Sequence, residues 1–233
     1  MWPFRRESGG PGASLLRQPA AEARYAVIDT ELTGLDERRD SIVSLGGLRL
    51  ASGRIQLADR FYEEVRPASA LTPESIVLHG ITPQEVRDRP GIGSVLEDFR
   101  GFCGGDVLVG HFIELDLGFL RRALSEAGLP ALTNPAIDTW LLYDWLSSRM
   151  PDACGPGLPR LHDPRLPELA QTLGVPNRGA HNALADAFVT AQVFQRLLRR
   201  IDRWGITALG DLLRIADPSR APGTQGESSV PLA

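Results

Sequence analysis

Two acidic residues end an apolar segment near the start of this sequence. Asp29 and Glu31 follow the run Tyr25-Ala26-Val27-Ile28, which predicts a buried β-strand. Alternate residues of a strand point to the same side of a sheet, so both carboxylates should face the same way. Two negative charges at the end of a buried strand repel each other and lose hydration unless a cation neutralises them. We therefore predict a divalent metal site here.

Two further acids fall on the apolar faces of predicted helices. At about 100° per residue, Asp116 lies within the apolar stripe of one helix and Asp186 within that of another. Each has a structural alternative: an arginine partner for either acid, or a place in the first helical turn for Asp186. Together with the strand pair, however, these acids favour one shared site.

A site made only of carboxylates favours Mg²⁺ or Mn²⁺ over zinc. Four acids suit two ions about 3.5 to 4 Å apart, the geometry that assists phosphoryl displacement, so we predict phosphodiester hydrolysis. His181 precedes Asp186 by five residues. A neutral imidazole there is a candidate general base for activating water, the alternative being a capping or packing residue.

The remaining pattern predicts an α/β fold, with a mixed sheet covered by helices. An antiparallel start of three strands is followed by a fourth strand, and Thr-Pro pairs open two short helices at residues 72–74 and 82–85. The predicted strands cover residues 24–31, 42–50, 55–65 and 107–109; the main helices cover 94–102, 112–127, 166–173, 182–202 and 207–215, with a long loop at 150–167.

Composition indicates one domain with extensions. The chain is 42% hydrophobic and contains no apolar run of membrane-spanning length, so we expect a cytoplasmic protein. We predict a flexible leader at residues 1–22, a domain at 23–203, and a short helix with a disordered tail at 204–233. Lysine is absent, which excludes lysine-dependent phosphate loops and Schiff-base chemistry; the net charge of -4 argues against binding long duplexes by bulk electrostatics.

The acids and the histidine occur in motifs that resemble the DEDD exonuclease superfamily, in the subclass with a histidine. The chain is most similar to the proofreading epsilon subunits of bacterial replicative DNA polymerase. The motifs that carry this resemblance are Asp29-Thr30-Glu31 with Thr33-Gly34-Leu35, His111 through Asp116 to Phe119-Leu120, and His181-Asn182-Ala183-Leu184-Ala185-Asp186, with His79-Gly80-Ile81-Thr82 and Asp138-Thr139 as secondary features.

The resemblance implies a ribonuclease-H-like fold and 3'-to-5' removal of nucleotides by two metal ions. Asp29, Glu31, Asp116 and Asp186 would bind the ions, and His181 would activate water. The segment from Thr30 to Leu35 would hold the terminal nucleotide, with Thr33 at its sugar or phosphate. Further candidate substrate contacts are Leu32 as an apolar wedge, Gly34, His111, Phe112 in place of the usual asparagine, and Arg178 at a phosphate.

The sequence motifs fit more than one substrate and more than one kind of partner. We expect single-stranded 3' ends of DNA, because His79 to Thr82 match the epsilon-like branch, whereas Leu32 with Thr33 to Asp36 also fits oligoribonucleases. RNA trimming like that of RNase T is a further alternative, as is a non-catalytic nucleic-acid or polymerase-docking module. The segment at 225–233 is either a docking peptide for a polymerase or sliding clamp, or a disordered extension.

Overall fold

A computed structural model describes residues 11–149, 158–177 and 182–220. The predicted helices and strands are present within these ranges, with ends that differ by a few residues. The strands are β1 (Arg24–Leu32), β2 (Ile42–Ala51), β3 (Arg54–Glu64), β4 (Val107–Gly110) and β5 (Ala136–Asp138); the α-helices are α1 (Pro11–Arg17), α2 (Pro73–His79), α3 (Pro83–Val86), α4 (Ile92–Cys103), α5 (Ile113–Glu126), α6 (Thr139–Arg149), α7 (Leu166–Thr172), α8 (Ala183–Ile201) and α9 (Leu209–Ile215).

The sheet has the strand order β3-β2-β1-β4-β5. β1 pairs antiparallel with β2, and β2 with β3, as the hairpin pattern predicts. β4 and β5 run parallel to β1. The mixed α/β sheet is thus confirmed. β5 has no counterpart in the predicted strands, because three residues give too short an apolar pattern to recognise.

Side-chain alternation along β1 separates two hydrophobic cores. Tyr25 and Val27 pack on one side of the sheet with the apolar face of α8, including Phe194. Ala26 and Ile28 pack on the other side with residues of α4 and α5. Since Asp29 and Glu31 continue the first of these rows, both project toward the layer that contains α8.

Helix α8 begins directly above β2. Its first turn lies against Gly46, where a Cβ atom would be 2.2 Å from the carbonyl carbon of Ala183 and 2.4 Å from the amide nitrogen of Leu184. The Cα of Gly46 is paired with that of Asp29 on β1. The missing side chain therefore lets the start of α8 come beside the acidic end of β1.

Part of the stretch expected as a leader has regular structure. Pro11–Arg17 form α1, which packs against α9, and the amide of Ala20 donates to the carbonyl of Thr207 at 2.7 Å. Ala20 and Ala23 are buried. Small residues at tightly packed positions give no periodic signal, so this contact could not be predicted from the sequence. The division into leader, domain and tail stays a prediction.

Several predicted regions lie outside the described residues: the first ten residues, most of the 150–167 loop and the segment after residue 220. No helix in the described parts of the chain is both long enough and apolar enough to cross a membrane.

Replacing Gly46 with alanine should destabilise the protein by about 1–3 kcal/mol, because the new methyl group would push against the backbone of α8. Gly101→Ala is the matched control. That glycine lies within α4, and no neighbouring atom comes within 4 Å of the position that an added methyl group would take, so alanine should stabilise by about 0.5–1 kcal/mol. Urea denaturation measures both values; equal effects of the two substitutions would contradict the close approach of α8 to β2.

Candidate metal centre

Three predicted metal ligands converge in the structure. Oxygen atoms of Asp29, Glu31 and Asp186 lie within 4.8 Å of one another. A hard divalent cation bound at about 2.0–2.6 Å from each oxygen spans a comparable distance. The strand end and the first turn of α8 therefore form a pocket of carboxylates of the size that one cation requires.

The sequence around Asn182 fixes where Asp186 lies. Asn182 has the extended backbone of an N-cap, and its side-chain oxygen accepts hydrogen bonds from the amides of Leu184 and Ala185 at 3.1 and 3.3 Å. Asp186 follows in the first helical turn, where the helix dipole favours a negative charge. The cap thus starts the helix at the register that turns Asp186 toward β1.

Asp116, the fourth predicted ligand, lies outside this group of three and approaches it from the other side of the sheet. It is 7% exposed in the first turn of α5, and its Oδ1 accepts a hydrogen bond from Thr30 Oγ1 at 2.5 Å. Thr30 lies between Asp29 and Glu31 but points to the opposite face. The hydroxyl of Thr30, predicted to contact a nucleotide, is therefore engaged with a predicted metal ligand.

Burial raises the pKa of all four carboxyl groups, and repulsion from the other acids of the group raises it further for Asp29 and Glu31. Burial raises the pKa of Glu31 to about 8, with further contributions from the charges of Asp186 and Asp116. Asp29 has a pKa well above its ordinary value, because of burial first and then the charges of Asp116, Glu31 and Asp186. Burial also raises the pKa of Asp116 to about 7 and that of Asp186 to about 6.

The alternative to a metal site is an arginine partner for each of these acids. In the described ranges, no arginine forms an ion pair with any of the four carboxylates. Buried negative charge without a basic partner is unfavourable, and a bound divalent cation would remove that cost. The donor set consists of oxygen atoms alone, which fits a hard cation.

Asp138 accepts hydrogen bonds from backbone amides at the starts of two helices, α5 and α6. It is 2% exposed, and its Oδ2 accepts from the amide of Ile113 at 3.0 Å. Its Oδ1 accepts from the amides of Trp140 and Leu141 at 2.8 and 3.2 Å. A single carboxylate therefore caps both α5 and α6, and burial raises its pKa to about 6. The sequence marked Asp138 as a family feature, but its role depends on the placement of β5.

The second motif forms a packed aromatic group. His111 Nε2 bonds to the carbonyl of Pro164 at 2.8 Å and Nδ1 to Thr139 Oγ1 at 3.0 Å. Because a carbonyl only accepts, Nε2 carries the proton, and burial lowers the pKa of His111 to about 4. The centroid of the Phe112 ring lies 4.5 Å from that of the His111 ring and 6.4 Å from that of the Trp140 ring. The backbone of Phe112 has the left-handed φ of 55°, which is strained for phenylalanine.

The residues after the first motif form a loop that packs against Asp40, Ser41 and Ser69. Thr33 is fully buried, and its hydroxyl accepts from the amide of Ser41 at 3.0 Å and lies 2.8 Å from Ser69 Oγ. Leu32 packs against the core that contains α5, Gly34 lies against Asp40, and Leu35 is exposed. In this geometry Leu35 is open to a ligand, whereas the hydroxyl of Thr33 is turned into the protein.

The two remaining predicted site residues, Arg178 and His181, lie outside the described residues. Their roles stay predictions. The chain places His181 directly before the N-cap Asn182.

Comparison with known proteins connects the site to a family. A family model described as Exonuclease matches residues 26–194. The DNA polymerase III subunit epsilon of Aquifex aeolicus is 29% identical over 201 residues, which cover 86% of this chain and 92% of that protein. The DNA polymerase III PolC-type protein of Oceanobacillus iheyensis is 33% identical over 180 residues, which cover 77% of this chain and only 12% of that protein.

Solved structures show the same fold. Escherichia coli Exonuclease I in complex with a dT13 oligonucleotide matches with a TM-score of 0.68 at 19% identity, over 79% of this chain and 43% of that chain. Exonuclease X in complex with 5' overhanging duplex DNA matches with a TM-score of 0.59 at 24% identity, over 84% of this chain and 99% of that chain. These matches confirm the ribonuclease-H-like fold class.

Without divalent metal, the protein should lose stability as pH rises. The pKa of Glu31 is about 8 in the fold against an ordinary 4.5, so between these values the folded state holds more protons than the unfolded state. We expect the Tm in a chelator to fall from about pH 5 to about pH 8, and Glu31→Gln to reduce that fall. Mg²⁺ should raise the wild-type Tm more at the higher pH.

The control is Asp98→Asn, an exposed acid on α4 that should leave the wild-type dependence unchanged. Scanning calorimetry with and without Mg²⁺ measures all three proteins. A Glu31→Gln variant with the same pH dependence as wild type would show that Glu31 does not hold an elevated pKa.

Proposed function

Because the chain belongs to the Exonuclease family, we propose that it hydrolyses phosphodiester bonds at single-stranded 3' ends, proceeding 3' to 5', with two Mg²⁺ or Mn²⁺ ions. The observation that carries this proposal is the convergence of Asp29, Glu31 and Asp186 within 4.8 Å, with Asp116 joined through Thr30. The ions, when bound, stabilise the attacking and leaving oxygens of an in-line displacement.

The side chains have separate tasks in this reaction. Asp29, Glu31 and Asp186 form one group of oxygen ligands, and Asp116 supplies a further carboxylate from α5. The hydrogen bond from Thr30 Oγ1 to Oδ1 limits rotation of the Asp116 carboxylate. His181 accepts the proton of the attacking water, for which a neutral imidazole is suited near pH 7.

We propose that the nucleotide is held beside this acidic end of β1. Leu32, Gly34 and Leu35 border the site from the first motif, and Phe112 from the second, while His111 keeps the backbone at Phe112 in place through its two ring nitrogens. Thr33 shapes the loop through its buried hydroxyl. Arg178 is the candidate contact to a backbone phosphate.

DNA is the preferred substrate in this proposal. Its support is that the relatives named above are DNA polymerase III proteins and that the structural neighbours hold DNA. The same relatives favour a polymerase as partner, with the C-terminal segment as candidate docking peptide for it or for a sliding clamp. Cytoplasmic location is part of the same proposal.

RNA is the second candidate substrate, because Leu32 and Thr33 to Asp36 fit the oligoribonuclease pattern. Purified protein assayed on labelled DNA strands and on RNAs of two to five nucleotides separates the two. Faster turnover of DNA supports the proposal; turnover of short RNA alone would assign the site to oligoribonucleotides.

Asp29→Asn should lower kcat on a labelled single strand by about 100-fold or more, the scale seen when one group that stabilises a transition state is removed. Asp98→Asn is the control, because it removes the same charge from an exposed position on α4. Gel analysis of 3'-end shortening with Mg²⁺ gives the rates. Equal rates for Asp29→Asn and wild type would refute the proposed site, and 3'-end binding without turnover in any divalent metal would indicate a non-catalytic binding module.

His181→Ala should remove the rise in activity with pH. With His181 as general base, wild-type kcat/KM increases through an apparent pKa near the ordinary histidine value of about 6.5. The variant should lose about 10²- to 10⁴-fold in rate and show no such limb. Initial rates across the pH range test this; a limb that persists in the variant would exclude His181 as the base.

A further inference from the structure

A tyrosine on β3 lies across the sheet from the acidic end of β1. The Cα atoms of Asp29 and Gly46 are paired, and so are those of Gly46 and Tyr62. Paired residues on neighbouring strands share a face, so Asp29 and Tyr62 flank Gly46 on the side that contains α8. The first turn of α8 lies on Gly46. It is therefore bordered by Asp29 on one side and Tyr62 on the other.

Tyr62 is hydrogen-bonded to the cap of that helix. Its hydroxyl accepts from Asn182 Nδ2 at 2.8 Å and donates to Glu64 Oε1 at 3.0 Å. Glu64 in turn pairs with Arg89, with 2.8 Å between Oε2 and Nη2. Burial and the bond to Glu64 raise the pKa of Tyr62 to about 12, so its hydroxyl keeps the proton that it donates.

The orientation of Asn182 makes this bond specific. Its Oδ1 accepts from the amides of Leu184 and Ala185, so Nδ2 must point away from the helix, toward Tyr62. One amide group thus links the start of α8 to β3. Asp186 follows four residues later, one turn along the same helix.

Contact with Gly46 prevents α8 from moving closer to the sheet. It does not prevent the helix from sliding or rotating over the backbone at this glycine. The Tyr62–Asn182 bond opposes both movements. A displacement of the first turn would change the distance from Asp186 to Asp29 and Glu31, whose oxygens must stay within one cation's reach.

We propose that Tyr62 is a positioning residue that, through Asn182, holds the first turn of α8 and so places Asp186 in the metal site. This inference rests on the proposed function, because it takes Asp186 as a metal ligand. In this role Tyr62 acts through the helix cap, by its bond to Asn182, and not on the reacting atoms themselves.

Tyr62→Phe removes the hydroxyl and keeps the ring. We expect Mn²⁺ affinity and kcat each to fall about 10-fold, the lower end of the effect of losing groups that orient metal ligands, with KM for the strand changed less than about twofold. Tyr25→Phe is the matched control, because it removes a tyrosine hydroxyl from the same face of the sheet, where that hydroxyl is bonded at 2.6 Å to the carbonyl of Ala20. It should keep wild-type Mn²⁺ affinity and kcat.

Asn182→Ser adds a second test, because serine still caps a helix but has no amide to donate to Tyr62. If both substitutions break one link, the double variant should lose no more Mn²⁺ affinity than either single variant. Losses that multiply would show two independent effects and overturn the proposal. Melting temperatures of the Tyr62→Phe and Tyr25→Phe proteins identify a general loss of stability.

Asp186→Asn separates this inference from the proposed function. If Asp186→Asn loses Mn²⁺ binding while Tyr62→Phe binds and turns over like wild type, the role of Tyr62 is wrong and the metal site stands. If Asp186→Asn binds Mn²⁺ normally, the proposed metal site itself is wrong. Equal losses of affinity in Tyr62→Phe and Tyr25→Phe would also overturn the proposal.

Discussion

The contact between the first turn of α8 and the backbone of β2 at Gly46 determines the rest of the site. Any side chain there would occupy the space of the Ala183 carbonyl. Only with the helix at this distance does Asp186 reach the carboxylates of Asp29 and Glu31. Ala183 and Ala187 are fully buried on the same helix, so small side chains on α8 match the missing side chain on β2.

The topology of the sheet brings the other elements to the same edge. β1, β4 and β5 run parallel, so their carboxyl ends lie together. Asp29 and Glu31 end β1, α5 with Asp116 follows β4, and Asp138 ends β5. Asp138 then caps α5 and α6, which fixes where both helices begin relative to that edge. The acids are distant in sequence but adjacent because each follows a parallel strand or starts a helix there.

Charge in an apolar pattern made most of the site predictable. Asp29, Glu31, Asp116 and Asp186 each interrupt a stripe that burial requires, and the structure buries or half-buries all of them. Tyr62 gave no such signal, because its role depends on strand register. In a regular hairpin, continuing the pairing of Ala51 with Arg54 along both strands would place Gly46 opposite Asp59. The strands instead have a bulge between Leu48 and Arg49, and beyond it Gly46 is paired with Tyr62. The bulge inserts an odd number of residues, which reverses the face that each later side chain occupies.

Three consecutive residues of β1 contact both layers that cover the sheet. Asp29 and Glu31 face the layer of α8, while Thr30 faces the layer of α5 and donates to Asp116. In the middle of a sheet this alternation would keep Asp116 on one side and Asp29 with Glu31 on the other. At the carboxyl end of β1 the sheet no longer separates the layers, so the charge of Asp116 raises the pKa of Asp29 from across the strand. The alternation that sorts apolar residues into two cores thus brings Asp116 within electrostatic reach of Asp29 where the strand ends.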